Sequence, residues 1–323
     1  MYLYKMEKAK QQIMTFKPKI KPSTLDNYIK TLEQIRKFMK KKDYDFIFNQ
    51  PEDTIEFLHN MKNKTGTAIS YLTKRNYLNA FIVLLQAQDP PNKELIAKYM
   101  KLRDEYNNKY NKDQKDSKIS EKQAPNFITL EELDEMLKQM RADIAQKGLF
   151  KKENLNRDEK TQLKAYIIFH FHRTLPVRNE LAGIKLIGKR EYNKLSKDDK
   201  EKNNYLINMR PNYEVSLGDY KTNKHWGIKI HIIDKQTEIL LKKWIKINNI
   251  QKGDVIFPMM SRTDLSNLLI NYSKRYINKN VSTTMIRKAH ASENIHAKKD
   301  IIRLADIMTH KPSTHMGTYT KEN

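Results

Sequence analysis

The sequence predicts a mainly α-helical protein with one small β-hairpin or sheet, an α+β protein of two domains. Three observations carry this prediction. Apolar residues recur about every 3.6 residues over most of the chain, strict alternation is confined to residues 205–232, and residues 111–126 hold few apolar side chains. A length of 323 residues also suits two domains. We therefore expect domains over residues 1–110 and 127–323, joined by a polar linker over 111–126.

The first domain is predicted to be all helical. Apolar stripes mark helices near residues 25–39, 51–61, 67–88 and 92–110. Pro51 suits the first position of a helix, where its missing N–H leaves no hydrogen bond unmade. These stripes are typical of a packed core, so we assign them no chemistry. Lysines lie between them, on the outer faces, as in a small helical clamp.

The second domain is predicted to begin with a helix capped by Thr129 and Glu132. A Thr followed three residues later by Glu can form a capping box, in which each side chain binds the other residue's backbone N–H. Further helices are predicted from the apolar spacing at residues 160–174, 236–248, 265–277, 284–294 and 301–308.

The β structure is predicted within residues 205–232. Strands are expected at 205–209 and 213–216, and the alternation of Trp226, Ile228, Ile230 and Ile232 predicts a half-buried strand. Residues 189–203 are rich in charge and are predicted to be a solvated insertion.

Composition indicates a polyanion-binding protein. Lys and Arg number 62 against 38 acids, a net charge of +24, which attracts nucleic acid, although an AT-rich genome or a need for solubility would also enrich lysine. There is no cysteine, which excludes disulfides and zinc–thiolate sites. No apolar stretch approaches the ~20 residues that span a bilayer, and the N-terminus lacks a signal-peptide core. We expect an intracellular, polyanion-binding protein without a membrane segment.

Two basic residues before residue 230 stand out by their surroundings. Arg178 follows a helix, within the segment Leu175 to Leu181, and lies beside the carboxylate of Glu180. Lys221 lies at the tip of the predicted hairpin, where a lysine often protects a sheet edge but can also reach into a groove as a proton donor. Each would ordinarily be a solvated surface charge.

Two further features lie near the end of the chain. Arg287 and Lys288 fall near the start of a predicted helix, where backbone N–H groups and a guanidinium together favour a phosphate. His310 is followed nine places later by Tyr319, one of 17 tyrosines. By itself a tyrosine near a C-terminus is a packing aromatic.

Taken in order, these features resemble the tyrosine recombinases, the phage integrase family. That family has an arginine motif of the form L-R-x-x-E-L, a hairpin lysine, a motif H-x-L-R-[HK]-x-x-A-[ST], and L-G-H followed after eight residues by Y. The positions that match are Arg178, Lys221, Arg287, Lys288, His310 and Tyr319. The resemblance covers residues 128 to the end, and the helical first domain is similar to the family's core-binding domain.

The resemblance implies a mechanism. Tyr319 would attack DNA and hold it as a 3′-phosphotyrosine, Arg178 and Arg287 would clamp the phosphate, and His310 would donate a further hydrogen bond. Lys221 would protonate the departing 5′-oxygen as general acid. The expected partner is double-stranded DNA, with four copies of the chain on paired sites, and neither cofactor nor metal is expected. The Lys- and Asn-rich sequence most resembles those of recombinases from large DNA viruses, virophages and related mobile elements.

Two departures from the family pattern concern proton transfer and the first arginine. Thr284 stands where the family has a histidine, so His290, Lys288 or His315 would have to take its role, and the sequence does not choose among them. Glu180 follows Arg178 by two places instead of three, so the chain after this arginine is expected to run differently.

Three other functions are compatible with parts of the pattern. A type IB topoisomerase shares the arginines, lysine, histidine and tyrosine but needs no paired sites. A non-catalytic DNA-binding protein would use the basic surface alone, and Thr284 favours it. A metal-dependent nuclease would need ligands, and the candidates His170 and His172 sit in an apolar helix without a carboxylate partner, which indicates core or interface residues.

Overall fold

The computed structural model describes residues 2–63, 65–115, 123–293 and 305–308. The chain divides into two compact units, Met1–Asp116 (unit 1) and Ser117–Asn323 (unit 2). Within the described ranges unit 1 is helical, and unit 2 combines helices with one small sheet, so the predicted mainly α class with a small β element is confirmed. None of the helices in these ranges is long and apolar enough to cross a membrane.

Unit 1 is built around one buried helix, α5. Its residues Tyr77, Leu78, Phe81 and Leu85 are at most 2% exposed and form the centre of the core. The helices of this unit are α1 (Tyr2–Phe16), α2 (Pro22–Phe38), α3 (Phe46–Asn49), α4 (Pro51–Asn60), α5 (Tyr71–Gln86) and α6 (Lys93–Lys115). The sequence pattern did not indicate α1 or α3.

Helix α6 is longer than its apolar stripe. It continues to Lys115, into residues 111–126, which were predicted to be linker from residue 111 onward. The reason is that Asn, Lys, Asp and Gln interrupt a helix far less than Gly or Pro does, so loss of apolar residues ends the buried stripe without ending the helix. A single turn of 3-10 helix, Ala124–Asn126, lies at the other end of that range.

Five long helices build the core of unit 2. The helices α7 and α8 each begin with a complete capping box, Thr129 with Glu132 and Asn156 with Glu159, and the first was predicted. The long helices are α7 (Leu130–Gln146), α8 (Arg157–Thr174), α12 (Lys235–Ile247), α13 (Arg262–Ile277) and α14 (Thr283–Glu293). They share one hydrophobic core with the sheet, and α8 is buried along most of its length.

The sheet of unit 2 has four strands in the order β1-β2-β3-β4. The pair β1–β2 is parallel, and the pairs β2–β3 and β3–β4 are antiparallel. Its strands are β1 (Lys185–Gly188), β2 (Asn204–Asn208), β3 (Tyr213–Leu217) and β4 (Lys229–Ile232). The crossover from β1 to β2 contains the short helices α9 (Lys189–Lys194) and α10 (Lys197–Lys202), so the predicted solvated insertion is partly helical.

The strand predicted over residues 226–232 is wrong in extent and orientation. Trp226 ends a one-turn helix, α11 (Asn223–Trp226), and β4 begins only at Lys229. Ile230 and Ile232 are 52% and 78% exposed. Alternation identifies the two faces of a strand but not which one is buried. Here β4 is an edge strand, and Lys229 turns to the other side, where it forms an ion pair with Asp306.

Candidate active site

Two arginines from separate elements of unit 2 converge on one backbone oxygen. Arg178 lies in the loop after α8, and Arg287 lies in α14. Arg178 Nη1 is 3.4 Å from the carbonyl oxygen of Met308, and Arg287 Nη2 is 3.0 Å from the same atom. Both guanidinium groups are donors, and the oxygen accepts. The fold thus brings two of the predicted site residues to a single oxygen, in the residue that precedes Thr309.

The arginine pair lies in a largely buried, positively charged environment. Arg287 is only 1% exposed, and a buried cation requires polar partners around it. The buried carboxylate of Glu180 lies within electrostatic reach of both arginines. Burial raises the pKa of Glu180, and the charges of Arg178 and Arg287 oppose that shift. Two guanidinium groups close together suit the binding of an anion.

A buried histidine holds the backbone of the Arg178 loop. His172, in α8, is fully buried, and its Nε2 lies 3.0 Å from the carbonyl oxygen of Arg178. Its Nδ1 lies 2.9 Å from the carbonyl oxygen of Ile168. Burial lowers the pKa of His172, and the charge of Arg287 lowers it further. A neutral imidazole has one N–H, so it donates to one of these two carbonyls at a time.

The next residue, Asn179, ties the same loop to two helices. Its Nδ2 donates to the carbonyl oxygen of Arg262 at 2.9 Å and to the hydroxyl of Ser266 at 2.8 Å. Its Oδ1 accepts from the hydroxyl of Thr283 at 2.9 Å. Arg262 and Thr283 are the first residues of α13 and α14. The loop that carries Arg178 is therefore anchored to α8, α13 and α14.

Lys221 lies exposed in the connection between β3 and β4. The hydroxyl of Tyr220 donates to the carbonyl oxygen of Gly227 at 2.5 Å and closes this loop. Burial raises the pKa of Tyr220 to about 12, with smaller contributions from the charges of Asp306 and Glu180. Tyr220, the residue before Lys221, thus lies within electrostatic reach of Glu180, the carboxylate beside Arg178 and Arg287.

The loop that carries Lys221 is held at its start. Arg262 donates from Nη2 to the backbone oxygen of Asp219 at 2.9 Å and to its carboxylate at 2.8 Å. Gly218 is required by a close approach, because a Cβ atom there would lie 1.7 Å from the carbonyl oxygen of Lys200. The chain can therefore turn from β3 into this loop only with glycine at residue 218.

Thr284 and two of the residues considered as replacements for the family histidine, Lys288 and His290, occupy different environments. Thr284 is exposed in the first turn of α14. Lys288 is buried, and its Nζ donates to the side-chain oxygen of Gln123 at 2.6 Å. His290 is buried, with Nε2 3.3 Å from the carbonyl oxygen of His172, and burial lowers its pKa to about 4. His290 is therefore a neutral histidine at pH 7.

Three of the predicted residues lie outside the described ranges: His310, His315 and Tyr319. The other predicted residues of the site all belong to unit 2. Of these, Arg178 and Arg287 share an oxygen, whereas Lys221 lies on a separate loop whose anchors reach the Arg178 segment.

Several polar residues that build the site were not found from the sequence. They are Asn179, Asn204 and Arg262, and His172 was interpreted only as a core or interface residue. Their hydrogen-bond partners include backbone groups far away in the chain, and no local spacing indicates such partners. A polar residue in an apolar context, such as His172 in α8, is the one signal that the sequence offers.

The histidines of α8 are hydrogen-bonded core residues. His170 is buried, and its Nδ1 lies 2.9 Å from the hydroxyl of Thr237. Burial lowers the pKa of His170. Over the described part of the chain, no group of three or more His, Asp or Glu side chains is arranged to hold a metal ion.

Unit 1 carries a separate cluster of cations and aromatic rings on α5 and α6. Lys74 is a buried residue, and its Nζ lies 5.9 and 5.8 Å from the ring centres of Tyr71 and Tyr106. It donates to the carbonyl oxygen of His59 at 2.8 Å. Burial and the charge of Lys109 lower the pKa of Lys74. The exposed Lys109 lies 5.4 Å from the centre of the Tyr71 ring, so positive charge is concentrated on this face.

Among solved structures, XerA recombinase is similar to this chain. The alignment covers 98% of this chain and 94% of that chain, with 14% sequence identity and a TM-score of 0.41. No family model and no curated protein matches the sequence. A likeness at this level does not by itself assign an activity, so function is inferred below from the residues of the site.

Proposed function

We propose that the protein is a site-specific tyrosine recombinase, which cuts and rejoins DNA through a covalent bond between Tyr319 and a DNA 3′-phosphate. The convergence of Arg178 and Arg287 on the Met308 carbonyl is the observation that supports it most directly. Two guanidinium groups directed at one oxygen suit the non-bridging oxygens of a phosphate. In the chain, that carbonyl lies shortly before His310 and Tyr319.

In the proposed reaction each residue has one task. The Tyr319 hydroxyl, with an ordinary pKa of about 10, attacks phosphorus and releases its proton to water. Arg178 and Arg287 stabilise the charge that the transition state adds to the phosphate oxygens, and His310 donates a hydrogen bond to the same group. Lys221 gives a proton to the 5′-oxygen as its bond to phosphorus breaks.

The second half of the reaction reverses the first. A 5′-hydroxyl of a partner strand attacks the phosphotyrosine and returns its proton to Lys221, and Tyr319 leaves and takes a proton from water. One phosphodiester replaces another, so the exchange needs no energy from ATP. We propose that Lys288, next to Arg287 in α14, has a secondary role and contributes positive charge to the site. Strand exchange between two duplexes would require four copies of the chain on paired sites.

The charge of the chain supports DNA as the substrate. The net charge of +24 favours a polyanion, and the exposed Lys109, beside the Tyr71 ring, offers the DNA backbone a cation on unit 1. We propose an origin among large DNA viruses, virophages and mobile elements, which the Lys- and Asn-rich composition resembles. On this proposal the protein acts where such DNA resides, in the cytoplasm or a host nucleus.

The decisive test is to trap the covalent intermediate. A pool of nicked duplexes with random sequence is incubated with the protein, so that a short 5′-hydroxyl strand is lost after cleavage and religation stops. We expect a protein–DNA adduct that survives denaturation, with the DNA attached to Tyr319 in mass mapping. Tyr319→Phe should bind the DNA without adduct, whereas Tyr272→Phe, which alters a tyrosine packed against the core of unit 2, should form it normally.

The other outcomes separate the rival functions. DNA binding without adduct in the unaltered protein would indicate a non-catalytic DNA-binding protein. An adduct on Tyr319→Phe would refute the assignment of Tyr319 as the nucleophile. Relaxation of supercoiled plasmid that lacks paired sites, with no recombinant product, would indicate a type IB topoisomerase.

A further inference from the structure

Asn204 joins the two parts of the proposed active site. It is the first residue of β2, and it is 4% exposed. Its side-chain amide makes four hydrogen bonds, all to backbone groups, and these groups belong to the Arg178 segment and to the loop that carries Lys221. A buried amide has two N–H donors and two oxygen lone pairs, so its hydrogen-bonding capacity is fully used.

The geometry divides between the two parts. Nδ2 donates to the carbonyl oxygen of Glu180 at 3.0 Å and to that of Asp219 at 3.2 Å. Oδ1 accepts from the backbone N–H of Gly218 at 3.0 Å and from that of Asp219 at 2.9 Å. One side chain therefore links the residue two places after Arg178 to the residue two places before Lys221.

We propose that Asn204 is a positioning residue for proton transfer, because it sets the Lys221 loop relative to the arginine segment. This inference deepens the proposed function and rests on it. Lys221 is exposed and has a flexible stem, so the reach of its ammonium depends on where its backbone is held. A displacement of about 1 Å in a reacting group can slow a reaction by roughly a hundredfold.

A purely structural role for Asn204 makes a different prediction. If the side chain only supports the start of β2, its loss should slow every cleavage reaction equally. If it positions the proton donor, the loss should matter only where the leaving oxygen needs a proton. Sulfur in place of the bridging 5′-oxygen provides that contrast, because a thiolate leaves without protonation. In both reactions the Tyr319 oxygen forms the new bond to phosphorus.

The experiment compares single-turnover adduct formation on nicked duplexes with a 5′-oxygen or a 5′-sulfur at the cleaved bond. We expect Asn204→Ala to slow the oxygen substrate by about 10- to 100-fold and the sulfur substrate by less than about threefold. Lys221→Ala should show the same pattern. Arg287→Ala should be slow on both substrates, since the phosphate charge develops in both reactions.

The chain offers a matched control in the adjacent residue. The Asn203 side chain donates to the carbonyl oxygen of Asp199 at 2.9 Å and accepts from Lys185 at 2.9 Å, away from the Lys221 loop. Asn203→Ala should therefore cleave both substrates at the normal rate. Equal slowing of the two substrates by Asn204→Ala, or no slowing of either, would overturn the inference.

A second variant covers the case in which Asn204→Ala does not fold, as judged by thermal unfolding. Asn204→Asp keeps an oxygen for the N–H groups of Gly218 and Asp219 and loses the two donated bonds. Like Asn204→Ala, this variant should cleave the oxygen substrate slowly and the sulfur substrate at close to the normal rate. Equal slowing of the two substrates would again overturn the inference. Absence of adduct with the unaltered protein on both substrates would instead overturn the proposed function itself.

Discussion

The two arginines proposed to bind phosphate and the loop that carries Lys221 are held in different ways. Arg287 is 1% exposed and, with Arg178, directed at one carbonyl oxygen. Lys221 is exposed, and the contacts that hold its loop are made by neighbouring residues, chiefly Asp219. Arg287 is thus positioned through its own buried side chain, and Arg178 through both its side chain and its backbone, whereas Lys221 is positioned through the backbone of its loop.

This difference follows from the chemistry that each group is proposed to perform. A guanidinium is planar and permanently charged, so burial fixes its direction without removing its charge. An ammonium that transfers a proton needs access to its acceptor and has to be replenished from solvent. Burial therefore suits the arginines, and an exposed side chain on an anchored loop suits Lys221. Four predictions test this contrast, from the largest expected effect to the smallest.

Removing the buried arginine should have the largest effect. Arg287→Ala is expected to slow adduct formation by about 10³-fold, because loss of one preorganised charge donor costs roughly that much. DNA binding should change only a few fold, because Arg287 is one of 62 lysines and arginines whose charge would attract DNA. Single-turnover cleavage and filter binding measure the two effects. Arg287→Lys keeps the positive charge but loses the two-pronged geometry of the guanidinium. Its cleavage rate should fall between those of Arg287→Ala and the unaltered protein. Near-normal cleavage by the alanine variant would contradict the clamp.

Loss of the exposed lysine should slow cleavage by about 10²-fold, the lower part of the range for general acid catalysis. Lys221→Ala should leave the thermal unfolding temperature unchanged, since its side chain is exposed. Lys224→Ala is the matched control, because it removes an exposed lysine from the same connection. If the two variants cleave DNA at the same rate, Lys221 is not the proton donor.

Loss of the hydrogen bond between His172 and the Arg178 carbonyl should slow cleavage to an intermediate degree. His172→Gln places an amide near the position of Nε2, which faces Arg178, whereas His172→Asn places one near Nδ1, which faces Ile168. We expect cleavage within about twofold of normal for Gln and about tenfold slower for Asn, from loss of roughly one hydrogen bond.

Both variants of His172 change a fully buried residue, so each should lower the free energy of unfolding by about 1–3 kcal/mol. Cleavage rates are therefore compared below the unfolding temperature of the less stable variant. Equal rates for Gln and Asn would show that the Arg178 carbonyl does not depend on this donor.

The smallest effect is expected for the surface contact of the lysine loop. Arg262 and Asp219 are about half exposed, and an exposed ion pair contributes about 0.2–1 kcal/mol. Arg262→Ala should therefore slow cleavage only about two- to fivefold, with recovery on a 5′-sulfur substrate. Arg275→Ala, an exposed arginine at the other end of α13, should cleave normally. A slowing as large as that of Asn204→Ala would mean that Arg262 contributes as much to the position of the loop as Asn204 does.

Local signals predicted the elements that depend on neighbours in the chain. The capping box at Thr129 and Glu132 was found because its partners lie three residues apart. The strand β1 was missed because four residues with a glycine at the end contain too little alternation. In β4 the alternation was visible, but the buried side was not, because it depends on residues such as Asp306, which pairs with Lys229. That partner is distant in the chain.

The same distinction applies to the site. The sequence alone determined the positive charge, the mainly helical class and the order of basic residues that ends at Tyr319, because composition and spacing are local properties. Only the tertiary structure decided that Arg178 and Arg287 meet at one oxygen and that Asn204 links Glu180 to Asp219. Hydrogen bonds join whichever groups folding brings within about 3 Å, and separation along the chain does not indicate which those are.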